Sequence, residues 1–118
     1  MHKTLGDFEV LILLALVRLK KEAYGAAVHR EIEERTGRSI AIGAVYTGLA
    51  RLERSGYVSA EIGEPTPERG GRRKKFYHLE AAGASALARS LTAHRSMVEG
   101  IETELDLMAA GGGEGGGS

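Results

Sequence analysis

Cysteine is absent from the 118 residues, tryptophan is absent too, and there are only two prolines, four tyrosines and two phenylalanines. Without thiols neither a disulfide framework nor a thiolate metal site can form, and a reducing compartment is permitted. The four histidines, His2, His29, His78 and His94, share no metal-ligand spacing, so no zinc site is expected. Long apolar runs are missing as well. The longest, Val10 to Val17, is too short to span a bilayer, and the start shows no basic, apolar and cleavage-site succession. The cytoplasm is the expected location. Nor is there a nucleophile beside a base, a phosphate loop or a metal cluster, so no enzyme chemistry and no cofactor are expected.

Net charge is also missing, but its cancellation is uneven. Residues 1–79 hold 14 Lys/Arg against 10 Asp/Glu, whereas residues 80–118 hold 2 against 6. Local fields rather than totals govern binding to nucleic acid, so the basic part suits phosphates and the acidic part should face away from them.

What is present reads as one domain made mostly of helices. From Leu5 to Leu19 the chain is apolar nearly all round and ends in Arg18-Leu19-Lys20-Lys21, cations that suit the negative end of a helix dipole. A helix apolar on more than one face is buried on more than one face, and in so small a domain the second face calls for another subunit. Residues 24–36 form a second helix, with Ala27, Val28 and Ile32 as its stripe and Gly37 as its stop. Glu33 and Glu34 read as its solvated face.

The third helix carries the functional signal. Ile42, Val45, Leu49 and Leu52 fall on one core-facing stripe, while Gly43, Ala44, Thr47, Gly48, Arg51 and Arg54 share the opposite face. Small residues there let a backbone approach base edges. Arg51 and Arg54 suit ion pairs or phosphates better than bidentate guanine contacts. A strand-like run, Tyr57 to Ile62, follows, then a loop, Gly63 to Arg73, and a second run, Lys74 to Leu79. Five cations lie between Arg69 and Lys75. Helix, strand, basic glycine-rich loop and strand make the back half of a winged helix-turn-helix, so the fold class is mainly α with a small β hairpin.

Residues 81–109 are predicted to form a last helix of about 40 Å. Leu87, Leu91, His94, Val98, Ile101, Leu105 and Met108 recur every three or four residues, a heptad seam whose partner is a second copy of the chain or, alternatively, the first helix of the same chain. His94, polar within it, either sets register or titrates as a switch. The tail, residues 110–118, is glycine-rich and predicted to be disordered. Three parts follow: residues 1–79 for DNA binding, 80–109 for dimerisation, and 110–118 as a tail.

Several of these pieces together resemble the PadR family of transcriptional regulators. They are Leu5-Gly6-Asp7-Phe8-Glu9 leading an apolar helix, Ala23-Tyr24-Gly25, Gly43-Ala44-Val45-Tyr46, Leu49-Ala50-Arg51-Leu52-Glu53-Arg54-Ser55-Gly56, and the segment from Pro67 to Tyr77. The single C-terminal helix is similar to the family's short subgroup, whose members are homodimers joined through the first and last helices. The resemblance implies a repressor that releases double-stranded DNA, a pseudo-palindromic operator, when a small molecule or other signal acts. It also implies Tyr46 and Thr47 as recognition-helix contacts, Tyr24 as a phosphate contact, and Arg72, Arg73, Lys74 and Lys75 as wing contacts. With Gly43, Ala44 and Arg51, these make the expected DNA-binding set. One departure is Leu79-Glu80-Ala81-Ala82-Gly83, where the family usually has Leu-Thr-x-x-Gly; Glu80 caps a helix less well than Thr. Tryptophan's absence also removes the aromatic clamp of some drug-binding relatives. An effector would then meet residues such as Val17, Met97 and Ile101. The rival reading is a winged helix that binds another protein and no DNA.

Overall fold

The computed structural model describes residues 4–65 and 73–115. α1 spans Asp7–Leu19, and the Glu9 carboxylate fixes its start by accepting the Gly6 N–H at 2.8 Å. Ile12, Leu13, Ala15 and Leu16 are buried, Val10 and Leu14 are half-buried, and Val17 is exposed. Its own chain therefore covers one side of this mostly apolar helix and leaves the other thinly covered. A 3₁₀ turn, Lys20–Glu22, leads into α2, Gly25–Thr36. Gly37 ends α2 with φ of 72°, a left-handed conformation that a side chain would oppose.

The loop between α2 and α3 is held by both backbone polar groups of Ile40. Its N–H donates to Glu33 Oε2 at 2.9 Å, and its carbonyl oxygen accepts from His29 Nε2 at 2.6 Å. His29 and Glu33 lie one turn apart on α2, so a single helix face grips the loop. Glu33 is half-buried in this role, which corrects its reading as a solvated carboxylate; only Glu34 fits that description.

α3 spans Ile42–Arg54. Val45, Leu49 and Leu52 are almost wholly buried, each contributing about 1.5–3 kcal/mol by leaving water. Two neighbours exchange the places expected of them. Ile42 is 43% exposed: it points within about 20° of Leu49, but as the first residue of α3 it stands about two turns further out, beyond the core. Gly48 is buried: a Cβ there would stand 2.5 Å from Ile12 Cδ1, so its missing side chain lets α3 close on α1.

β1, Val58–Pro65, and β2, Arg73–Leu79, form an antiparallel hairpin with Val58 opposite Leu79 and a register irregularity between Ile62 and Pro65. The hairpin has a third, one-residue partner that the sequence pattern did not announce. Tyr77 N–H donates to the Ala23 carbonyl at 2.8 Å, and Tyr24 bridges to Phe76. The wing is thereby tied to the start of α2.

α4 begins at Ala81, after Glu80, whose N–H donates to the Tyr57 carbonyl at 2.9 Å. Glu80 makes no side-chain cap, but the helix starts where expected. A Cβ at Gly83 would overlap that Tyr57 carbonyl, so the glycine lets α4 lie against the base of the hairpin.

The expected single helix over 81–109 is two helices, α4 (Ala81–Val98) and α5 (Glu102–Gly115). Gly100 makes the break at φ of 88°, and its N–H donates at 3.0 Å to Oε1 of Glu102, the first residue of the new helix. α5 also runs on through Gly111, Gly112 and Gly113 to Gly115, where disorder was expected. Every residue from Thr92 to Gly111 is exposed. The radius of gyration, 17.6 Å, exceeds the roughly 13–14 Å of a compact chain this long, because α5 stands away from the body.

Two substitutions test this packing. Gly83→Ala should lower stability by about 2 kcal/mol or more in urea unfolding, since its neighbour is backbone that cannot step aside. Glu33→Ala should cost about 1–2 kcal/mol and speed hydrogen exchange at the Ile40 amide, which loses its acceptor.

Candidate nucleic-acid interface

Because Val45, Leu49 and Leu52 face inward, the opposite side of α3 is presented to solvent. Gly43, Ala44, Tyr46, Thr47, Arg51 and Arg54 are all exposed. Arg51 and Arg54 form no ion pair among the described residues. Tyr46 is 48% exposed, and its ring lies over Gly25, where a Cβ would run into it. The first residue of α2 therefore fixes how the Tyr46 ring leaves the surface. Gly43 differs from Gly25 and Gly48: a Cβ there meets nothing within 4 Å. Packing within the chain gives no reason for glycine at this position.

The wing divides its cations. Arg73 is exposed and forms no ion pair among the described residues. Lys74 is half-buried, with Nζ 4.1 Å from the centroid of the Tyr24 ring. Lys75 Nζ lies 3.3 Å from Glu53 Oε1 on α3 and 5.5 Å from the Tyr77 ring centroid. Arg72, with the rest of 66–72, lies outside the described residues.

Tyr24 is engaged within the chain rather than presented alone. Its ring meets Phe76 edge-on, centroids 5.8 Å apart, and its hydroxyl accepts from Arg30 Nη2 at 3.5 Å, the long end of hydrogen bonding. Burial pushes the Tyr77 hydroxyl above the ordinary tyrosine value, with the Lys75 charge working against that rise. Sequence reasoning missed Glu53, Arg30 and Phe76 as members of this neighbourhood. The alternation of β2, Lys74-Phe76 on one face and Lys75-Tyr77 on the other, carried part of that signal.

The heptad seam is divided as well. Leu87 is buried in its own chain's core and Leu91 is half-buried against it, so the first turns of the seam pack within the chain. His94, Val98, Ile101, Leu105 and Met108 are exposed. For Ile101, Leu105 and Met108 the reason is Gly100, beyond which α5 leaves the line of α4, whereas His94 and Val98 are already exposed on the last turns of α4 itself. Val17, Met97 and Ile101, expected near an effector, are exposed too. A groove of about 280 Å³ between the start of α1 and α4 is lined instead by residues including Leu5, Val10, Leu91 and His94. Among the described residues no acidic, histidine or cysteine cluster could hold a metal, and no helix is long and apolar enough to cross a membrane.

Comparison with known proteins fits this geometry. No curated protein matches the chain. Among solved structures, a PadR family transcription regulator from Clostridium difficile R20291 superposes with a TM-score of 0.69 at 25% identity, covering 85% of this chain and 99% of its own. A PadR-like regulator of Bacillus cereus gives a TM-score of 0.64 at 18% identity, over 83% of this chain and 89% of its own. PadR of Bacillus subtilis, solved in complex with operator DNA, gives 0.61 at 23% identity, over 73% of this chain and 47% of its own. The model of the transcriptional regulator PadR-like family matches residues 12–89, from within α1 to within α4. By that match this chain belongs to the PadR-like family of transcriptional regulators.

Proposed function

We propose that this regulator binds a pseudo-palindromic DNA operator as a homodimer and represses transcription. The observation that carries the reading is the outer face of α3, where small residues, Tyr46 and two cations without ion-pair partners among the described residues stand together. Such a face can enter a major groove, with Gly43 and Ala44 letting the backbone come close and Tyr46 and Thr47 offering hydroxyls to base edges. The wing reaches flanking phosphates through Arg73. The DNA-bound state of the Bacillus subtilis relative supports the same use of a shared fold.

Residues 1–79 serve as the DNA-binding part and 80–109 as the dimerisation part. Met97, Val98, Ile101, Leu105, Leu107 and Met108 are large apolar residues left exposed, together with Val17 on α1. A second copy of the chain would cover them. Two α3 helices roughly 34 Å apart then meet successive major grooves. Release by a small molecule would follow if the ligand bound unequally to the spaced and unspaced dimers.

Gly43→Ala separates recognition from folding. It should raise stability by about 0.5–1 kcal/mol through helix propensity, yet weaken binding to a selected operator at least about tenfold, some 1.4 kcal/mol. Fluorescence anisotropy and urea unfolding on the same sample check both; unchanged binding contradicts the groove assignment. Leu105→Glu with Met108→Glu should shift the protein in sedimentation from twice 12.6 kDa to 12.6 kDa. A wild-type monomer at micromolar concentration would contradict the homodimer.

A further inference from the structure

We infer that Lys74 and Lys75 are positioning residues that aim the wing, and that Arg73 is the described wing cation that meets phosphate. The inference rests on the DNA-binding reading above. Successive residues of a strand point to opposite faces, and here the two lysines reach different elements. Lys74 lies over the ring of Tyr24, immediately before α2. Lys75 reaches Glu53, in the last turn of α3. β2 is therefore straddled by two cationic struts, one to the N-cap residue of α2 and one to the last turn of α3.

Each strut is backed by an aromatic ring. Phe76, on the Lys74 side, presses edge-on against Tyr24 and is seated over Gly63, where a Cβ would come within 2.6 Å of its ring. Tyr77, on the Lys75 side, is buried and has the Lys75 ammonium near its ring. The Tyr77 N–H also ties the same strand to the carbonyl of Ala23, the residue before Tyr24. The lysine charges are thus engaged before DNA arrives: one is paired with a carboxylate and the other faces an aromatic quadrupole. Arg73, one residue earlier, is exposed and has neither kind of partner among the described residues. Exposed pairs of this sort contribute little to global stability, so removing one leaves a folded protein with a less firmly aimed wing.

Salt dependence distinguishes a strut from a phosphate contact. Each phosphate neutralised adds about 0.9 to the slope of log affinity against log salt. Affinity for a mixed-sequence DNA duplex, measured from about 50 to about 300 mM salt, should respond differently to each variant. Arg73→Met should flatten the slope by about 0.9 per subunit. Lys74→Met and Lys75→Met should weaken binding severalfold at every salt concentration with the slope unchanged. Tyr24→Leu should behave like Lys74→Met.

Glu53→Gln decides the point most sharply. It removes a negative charge near the DNA face, so a phosphate-binding Lys75 would be released and binding would tighten. A positioning Lys75 loses its anchor and binding weakens. Tightening by Glu53→Gln, or a flattened slope for Lys74→Met and Lys75→Met, overturns the proposal. Hydrogen exchange at the Tyr77 amide without DNA keeps the two readings apart. It should accelerate in Lys75→Met, Glu53→Gln and Tyr24→Leu but not in Arg73→Met. Failure of the wild type to bind any duplex would refute the DNA reading, whereas unchanged exchange in all three strut variants would refute the struts.

Discussion

The seating of α3 is the constraint on which the rest depends. Val45, Leu49 and Leu52, with the bare backbone of Gly48, bury one narrow side of the helix against α1 and its neighbours. Because so few positions satisfy the core, the remaining residues of α3 are available for recognition. The helix is held firmly in spite of its short length: Ile40 is gripped by His29 and Glu33 just before it starts, and Glu53 ties its end to the wing. An isolated helix of 13 residues would be marginal in water, so tertiary burial supplies its order.

The same economy shapes the wing. An isolated two-stranded hairpin is marginal on its own. This one borrows stability from Ala23 and Tyr24 ahead of α2 and from Tyr57 and Gly83 at its base. Segments far apart in sequence thereby fix the hairpin relative to α3, and the cations of β2 gain a defined relation to a helix face.

Much of the fold was legible because it is written in local periodicity. The stripes of α1, α2 and α3, the stop at Gly37 and the strand-like runs around the loop each have a short-range cause. What escaped reading was decided by distance along the chain. Glu33 looks like a solvated carboxylate until the loop brings Ile40 back over it, and the Tyr24–Phe76 pairing joins residues with no sequence relation. Gly48 was misplaced because helical spacing gives the centre of a stripe better than its edges, and Ile42 because spacing does not show where along the helix the core ends. The heptad pattern continued through Gly100, although one glycine in a left-handed conformation was enough to divide the helix. Of the expected DNA contacts, Gly43, Ala44, Tyr46, Thr47, Arg51 and Arg73 are exposed, whereas Tyr24, Lys74 and Lys75 are drawn into the chain's own contacts.

The most direct measurement is to incubate the purified protein with sheared genomic DNA of its own host and sequence the retained fragments. The account predicts a small set of sharply enriched fragments sharing an inverted repeat, its half-sites centred about one helical turn apart. Uniform retention of all fragments, or none at low salt, would contradict sequence reading by α3.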